Sequence, residues 1–332
     1  MQHKVDNVNL FEDNGDVIVG GWSRERIFEY NKKDYPAPNK LTEKDSYFLS
    51  NGDMGFYLGV ETLGSELAVR IVLIDYKSGE IVRDSVSKKL VLDLTPLPQY
   101  EGMGEFSYTD KKIALTLTNT VDGRYIKCDF IDFNNYKNLF VKVFVKNGEG
   151  NSMNMLAPFD ENHKCFYFKR FVPTFTANGV VRFGGTDYSL TDENSFVYLS
   201  LSRYALFKHQ GYQSLNAVFP LGSHRFAINL AAKVGNNKKG SENCYFLDGK
   251  LYKVGRLKVS GDERKPGEEW KFETLDERIS LTFSPDSDDH GLQTCKCDRL
   301  TFIFGTLNGT LENDEVRLRV RDKKAHMVFV NI

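Results

Sequence analysis

DENSFVYLSLSR, residues 192–203, is the stretch on which the fold turns. Alternation along it puts Phe196, Tyr198, Ser200 and Ser202 on one side of an extended segment, and Ser195, Val197, Leu199 and Leu201 on the other. That is the two-residue period of a β-strand. One side is largely hydrocarbon and belongs to a core. The other carries rings and hydroxyls, and if the protein has a site, this face is its wall.

The same period recurs on either side of this stretch. Ile113, Leu115 and Leu117 share a face, as do Ile126, Cys128 and Phe130, then Leu139, Val141, Val143 and Val145. Between Glu66 and Tyr76 the apolar run is almost unbroken, which predicts a strand buried on both faces, and Lys77-Ser78-Gly79-Glu80 supplies a hairpin turn. Strand-length segments continue from Lys164–Val172 to Glu315–Arg321. In the last of them Val316, Leu318 and Val320 alternate with Arg317, Arg319 and Arg321, an apolar-in, basic-out strand whose arginines read as a solvated face. Only Ser202–Tyr212 resembles a helix in the second half, and Gly211 breaks it. The pattern predicts an all-β protein of antiparallel meanders with few short helices, closing into barrels or sandwiches. GEGNSMNM at 148–155 interrupts the rhythm and marks the expected boundary between a β-domain over 1–150 and a second over 151–332.

A length of 332 residues suits about two domains. Lys and Arg total 44 against 45 Asp and Glu, so no global field draws the chain to nucleic acid or to an anionic membrane surface. A neutral or apolar partner fits better. No apolar run approaches the roughly 18–20 residues that span a bilayer, and no secretory leader pattern opens the chain, so the expectation is a soluble, cytoplasmic protein. The oligomeric state is left open. Cysteines stand at 128, 165, 244, 295 and 297; Cys295-Lys-Cys297 has His290 nearby but no second ligand pair, and the five read as free thiols. No metal and no cofactor are expected.

The common catalytic signatures are missing: no Gly-rich phosphate loop, no dinucleotide fingerprint, no nucleophile elbow and no His-Glu-x-x-His helix. SPDSDDHG at 284–291 lacks the length and closing glutamate of an EF-hand and reads as a solvated turn, while the basic GNNKKGSE at 235–242 reads as a flexible turn between two strands in preference to a phosphate contact. Near the N-terminus, Gly21-Trp22-Ser23-Arg24 leaves two readings open. Trp22 with the Arg24 cation on its ring plugs a barrel end, or Trp22 is a plain hydrophobic anchor.

GWSR at 21–24, LAPFDENHKCFYFKR at 156–170, NGVVRFGGTDYSLTDENSF at 178–196, GSHRFAINL at 222–230 and ENCYFLDGKLYKV at 242–254 follow one another in an order that resembles an uncharacterised bacterial family of the calycin, or lipocalin-like, clan. That family is related to AttH-like proteins and carotenoid 1,2-hydratases. The resemblance spans Gly21 to about Arg321 and implies two lipocalin-like β-barrels packed together. In the hydratase branch an acid at the end of the 196–203 strand is taken to protonate an isoprenoid double bond, work that suits a carboxyl kept neutral by an apolar cavity. The family's Asp-Trp-Gly-Arg-Gly step is here Ser200-Leu201-Ser202-Arg203-Tyr204, and its acidic, tryptophan-bearing ending is His326-Met327-Val328. A serine hydroxyl does not protonate an alkene near pH 7. The implied acid is therefore absent unless Asp187, Asp192, Glu193 or Glu242 replaces it.

The candidate ligand-binding residues are Tyr198, Ser200, Arg203, Tyr212, His224, Arg225, Glu242 and Asn243, with Trp22 and Arg24 at the barrel end. Arg203 is expected to pair with Glu242 or to anchor a ligand oxygen. Three functions follow in order: binding of a small, mostly apolar lipid- or isoprenoid-like molecule; a hydratase or lyase with a relocated acid; or an interaction protein without a ligand.

Overall fold

The structure, a computed structural model, describes residues 8–330 apart from 18, 26, 64–65, 90–96, 98–102, 160–161, 206–211, 233–239, 263, 266, 287–299 and 313. His290, Cys295 and Cys297 fall outside the described residues. Among those described, helix is limited to the three-residue 3₁₀ turns Lys32–Asp34 and Pro38–Lys40, so no helix is long and apolar enough to cross a membrane.

Two large antiparallel sheets hold nearly everything else. The first, of 13 strands, follows a path from Ile81–Lys89 through Glu66–Asp75, Met54–Leu63, Thr42–Ser50, Phe196–Ala205, Asn162–Phe183, Lys137–Lys146, Gly123–Phe133 and Ile113–Asn119 to Gly104–Thr109. The second, of nine, runs from Lys250–Lys253 through Cys244–Leu247, His224–Ala232, Tyr212–Leu221, Arg317–Val330, Leu300–Glu312, Ile279–Pro285 and Trp270–Thr274 to Leu257–Ser260.

The first sheet curls because one strand serves two arms. Asn162–Phe183, 22 residues long, pairs with Phe196–Ala205 along its first half and with Lys137–Lys146 along its second, with a register shift between Val172 and Phe175. Inner residues of both arms then share one core: Leu49, Phe56 and Ile71 meet Leu115, Cys128 and Val141. The second sheet encloses its own core of Ile228, Trp270, Phe283, Ile303 and Met327. A third apolar layer joins the two, with Phe48, Tyr57, Phe171 and Tyr198 from the first sheet against Val218, Phe246, Phe302 and Phe304 from the second. The fold is thus two lipocalin-like half-barrels packed through this layer.

The local pattern reads well at several points. Val69–Ile74 is buried on both faces, and Gly79 turns the 77–80 hairpin at φ +72. Leu318 and Val320 point inward, while Arg317, Arg319 and Arg321 are exposed. The expected helix at Ser202–Tyr212 is corrected in its described part. Ser202–Ala205 continues a strand laddered on both sides, to Thr42–Lys44 and to Phe166–Lys169, so its backbone groups are met by neighbouring strands. The stretch Gly148–Met155 runs from the end of Lys137–Lys146 into Met153–Phe159, both strands of the first sheet, and the chain passes to the second sheet between Ala205 and Tyr212. The N-terminal residues Leu10, Phe11, Val17, Phe28, Tyr35 and Leu41 pack on Phe166, Phe168 and Ala205, covering the first barrel's core beyond Leu201 and Arg203.

Candidate functional site

Phe196–Ala205 lies at the centre of the first sheet, and its two faces part company as the alternation predicts. Val197, Leu199 and Leu201 enter the first barrel's core, while Tyr198 belongs to the layer between the sheets. On an otherwise buried strand, Phe196, Ser200 and Tyr204 remain half-buried, four residues apart on the inter-sheet face. Ser200 stands between Ser46 and Phe171 in the ladder, and the Ser46 Oγ lies 3.1 Å from the Tyr57 hydroxyl.

The Tyr198 hydroxyl reaches across the layer to His326, 2.7 Å from its Nε2. His326 is completely buried, with ring centroids of Phe48, Phe302 and Phe304 at 4.4, 5.6 and 5.8 Å. Burial pushes its pKa down to about 3, so the imidazole is neutral. The Nδ1 has no hydrogen-bond partner. In either tautomer one ring nitrogen is bonded and the other is not.

Arg203 falls on the opposite face. Its Nη1 donates to Asp45 Oδ1 at 2.7 Å and to the Lys44 and Ser202 carbonyls, and its Nε lies 3.7 Å from Glu43 Oε1. Glu43 also accepts from the Tyr30 hydroxyl at 2.9 Å and from Lys32 at 3.1 Å, and the guanidinium sits 5.6 Å from the Tyr30 ring. Burial raises the Asp45 pKa while Arg203 pulls it back. The expected Arg203–Glu242 pair is corrected by this geometry: strand period 2 sends Arg203 to the barrel interior, where its charge is balanced by acids from the neighbouring strand.

Glu242 instead meets Lys169. Its Oε2 accepts from the Lys169 ammonium and from Asn229 Nδ2 at 2.9 Å, while Lys169 also donates to Asn229 Oδ1 at 2.9 Å. All three side chains are buried, and Glu242 Oε1 has no partner. Lys169 comes from the first sheet, Asn229 from the second, and Glu242 from the segment leading into the second sheet's Cys244–Leu247, so the cluster clamps one half to the other. Asn243 Oδ1 accepts from the Ala231 amide at 2.7 Å, a structural bond inside the second sheet.

Trp22 packs against the inter-sheet layer, but the cation near its ring is Lys253 at 5.7 Å and not Arg24, which is exposed. Lys253 donates to the Ser241 hydroxyl at 3.0 Å and to the Asn243 carbonyl at 2.8 Å, and burial lowers its pKa to about 8. Tyr212 opens its strand opposite Val330, and its side chain lies outside what the structure describes.

A cleft of about 200 Å³ opens between the sheets, lined by Phe196 and Pro173 on one side and by Val218, Arg225, Ala227 and Phe246 on the other, with Glu149 and Asp248 also at its walls. Arg225 crosses it. Its Nη2 donates to the Ser195 carbonyl at 2.7 Å and weakly to that of Phe175 at 3.4 Å, and its guanidinium lies 4.5 Å from the centre of the Phe196 ring. His224, beside it, turns to the surface, where its Nδ1 lies 2.6 Å from Asp248 Oδ2. The structure therefore brings Arg225 to Phe196 at one end of the 196–204 face and leaves His224 at the surface beside it. It sends Arg203 and Arg24 elsewhere, and sets Glu242 and Asn243 deeper in the layer.

Sequence reasoning missed His326, Lys169, Asn229 and Asp45. Two had a local signal: Lys169 interrupts the aromatic run CFYFKRF, and His326 interrupts AHMVFV, each a polar residue at an inward position of a strand that reads as apolar.

The fold is shared with solved structures of low sequence identity. An AttH protein of Nitrosomonas europaea, described as putative, is 11% identical with a TM-score of 0.54, over 87% of this chain and 92% of that one. Kievitone hydratase of Nectria haematococca is 10% identical with a TM-score of 0.56, over 97% and 98%. No curated protein matches the sequence. Residues 2–325 match the family described as a domain of unknown function, DUF2804, and the chain belongs to that family.

Proposed function

We propose that the protein binds a small, mostly apolar molecule in the cleft between its two half-barrels. The observation that carries this is the cleft's composition: Phe196, Val218, Ala227 and Phe246 supply apolar walls, and one half-buried cation, Arg225, supplies a polar end. Sites of this kind fix a ligand by apolar contact and orient it with few polar groups. At about 200 Å³ the cleft is below the roughly 300–1,000 Å³ common for drug-sized ligands, which suits a small molecule or one end of a lipid- or isoprenoid-like chain. A cytoplasmic setting belongs to the same reading, supported by three buried, free cysteines at 128, 165 and 244.

The test is native mass spectrometry of the purified protein before and after solvent extraction. A co-purifying mass that extraction removes, and that Ala227→Phe prevents from binding, is the expected result. A protein without any such mass, whose stability is unchanged by small apolar compounds, would count against the reading.

A second reading, hydration of an isoprenoid-like alkene, is favoured by one observation. Glu242 is an acid on the inter-sheet side with one unpartnered oxygen. Against it stands the geometry, since the other carboxyl oxygen is already held by Lys169 and Asn229 in a bond between the two halves. Incorporation of labelled water into an alkene, lost in Glu242→Gln, would decide for this reading.

A further inference from the structure

We propose that Arg225 reads an uncharged oxygen acceptor, so that the cleft's ligand is a ketone, ester or lactone on a small apolar frame and not a carboxylate or an amine. This rests on the binding reading above and names the chemical class that the site would take.

The donors come first. A guanidinium carries five N–H groups in a fixed plane. In Arg225 the Nη2 is committed to the Ser195 and Phe175 carbonyls, and the ring of Phe196 lies under the cation at 4.5 Å. Those contacts hold the plane in place. The Nε and Nη1 have no hydrogen-bond partner among the described residues, so donors remain on a side chain that lines the cleft. These donors are only half-buried and held in place by the Nη2 contacts, so an oxygen entering the cleft meets a donor already oriented toward it.

The charges around the cleft then select among oxygens. Asp248 and Glu149 line it, and Asp192 and Asp248 both act on the Arg225 guanidinium. His224 is engaged with Asp248. The residues lining the cleft thus carry two carboxylates, Glu149 and Asp248, to one guanidinium, and a ligand carboxylate would add a third negative charge to the same small volume. An amine would find carboxylates at the wall but would leave the Arg225 donors unmet and set a second cation beside the first. A carbonyl oxygen meets the donors and adds no charge. The apolar walls at Val218, Ala227 and Phe246 accept the rest of such a molecule.

Four probes on one frame test this: acetophenone, benzoate, benzylamine and ethylbenzene, each titrated against the intact chain at neutral pH and followed by calorimetry and by ligand-observed NMR. Acetophenone is expected to bind about ten-fold or more tightly than each of the others, the worth of one hydrogen bond to a charged donor. Arg225→Met is expected to bring acetophenone down to the level of ethylbenzene while leaving ethylbenzene unchanged. Equal binding of ethylbenzene and acetophenone by the unaltered protein would overturn the acceptor assignment and leave the apolar cleft standing. Tighter benzoate or benzylamine would overturn the charge argument in the same way. Failure of all four to bind would remove the binding reading itself, and the proposal with it. The comparison within the unaltered protein decides even if Arg225→Met unfolds.

Discussion

The Tyr198 hydroxyl and the Nε2 of His326, 128 residues apart in sequence, lie 2.7 Å from one another in the layer that joins the two half-barrels. Both are buried, and without Tyr198 the His326 ring would have no hydrogen bond at either nitrogen. Tyr198→Phe is therefore expected to cost about 1–3 kcal/mol, because His326 is left with both nitrogens unmet. His326→Phe should cost a similar amount. The double variant should cost clearly less than the two single losses added, since removing both partners leaves no orphan. Urea denaturation of the four proteins checks this, and additivity of the two losses would show that the pair is not coupled.

The same histidine makes stability depend on acid. Its folded pKa is about 3 and its ordinary value 6.5, so the unfolded chain takes the proton first. Sign follows from that order: the contribution is complete above pH 6.5 and is lost as pH falls from 6.5 toward 3. At about 1.4 kcal/mol per unit, the stability difference between the protein and its His326→Phe variant should narrow by about 2–3 kcal/mol between pH 7 and pH 4.5. The carboxylates common to both cancel in the difference. A gap that stays constant over that range would mean that His326 titrates in the folded protein as it does in the unfolded chain.

The bend of the long strand also makes a prediction. Gly179 sits at φ +140 where Asn162–Phe183 pairs with Lys137–Lys146, and a Cβ there would meet the Lys142 carbonyl oxygen at 2.1 Å. Gly179→Ala is expected to cost about 2–4 kcal/mol, strain and clash together. Gly185, also at positive φ but with open space around it, should cost less when changed to Ala. Thermal melts of the two variants rank them, and equal losses would show that φ alone matters.

What the sequence made legible was local, and what it hid was pairing. Two-residue alternation placed Val197, Leu199 and Leu201 inward and Tyr198 outward, because a strand's faces are set by the residues themselves. The same alternation already put Arg203 with Leu201 and not with Ser200, yet a family resemblance grouped it with the outer wall. Its true partners, Asp45 and Glu43, lie about 160 positions away on a strand whose neighbour could not be known from rhythm. Rhythm likewise assigned Lys164–Val172 to a second barrel, whereas hydrogen bonding places it in the first sheet. Trp22 left two readings open, a plug with Arg24 on its ring or a plain anchor; it is half-buried against the inter-sheet layer, and the cation near its ring is Lys253, in the second sheet.

Lys169 and Glu242 give the last prediction. Lys169 belongs to the first sheet and Glu242 to the segment entering the second sheet's Cys244–Leu247; both are buried, and Asn229 binds the two of them. Taking two ions out of water is expensive, and their attraction repays it only while both are present. Lys169→Met should therefore cost about 3–5 kcal/mol, because the Glu242 carboxyl is left buried without its cation and already short of one hydrogen bond at Oε1. Glu242→Gln keeps an acceptor oxygen beside Lys169, which also retains its bond to Asn229 Oδ1, so it should cost less. Combining Lys169→Met with Glu242→Gln removes the uncompensated charge and is expected to recover about 2 kcal/mol or more relative to Lys169→Met alone. Denaturant titrations of the three variants supply the cycle. If Lys169→Met alone cost less than about 1 kcal/mol, the value of an exposed pair, the ion pair would not be what clamps one half-barrel to the other, and the aromatic layer of Phe171, Tyr198 and Phe246 would be left to hold them.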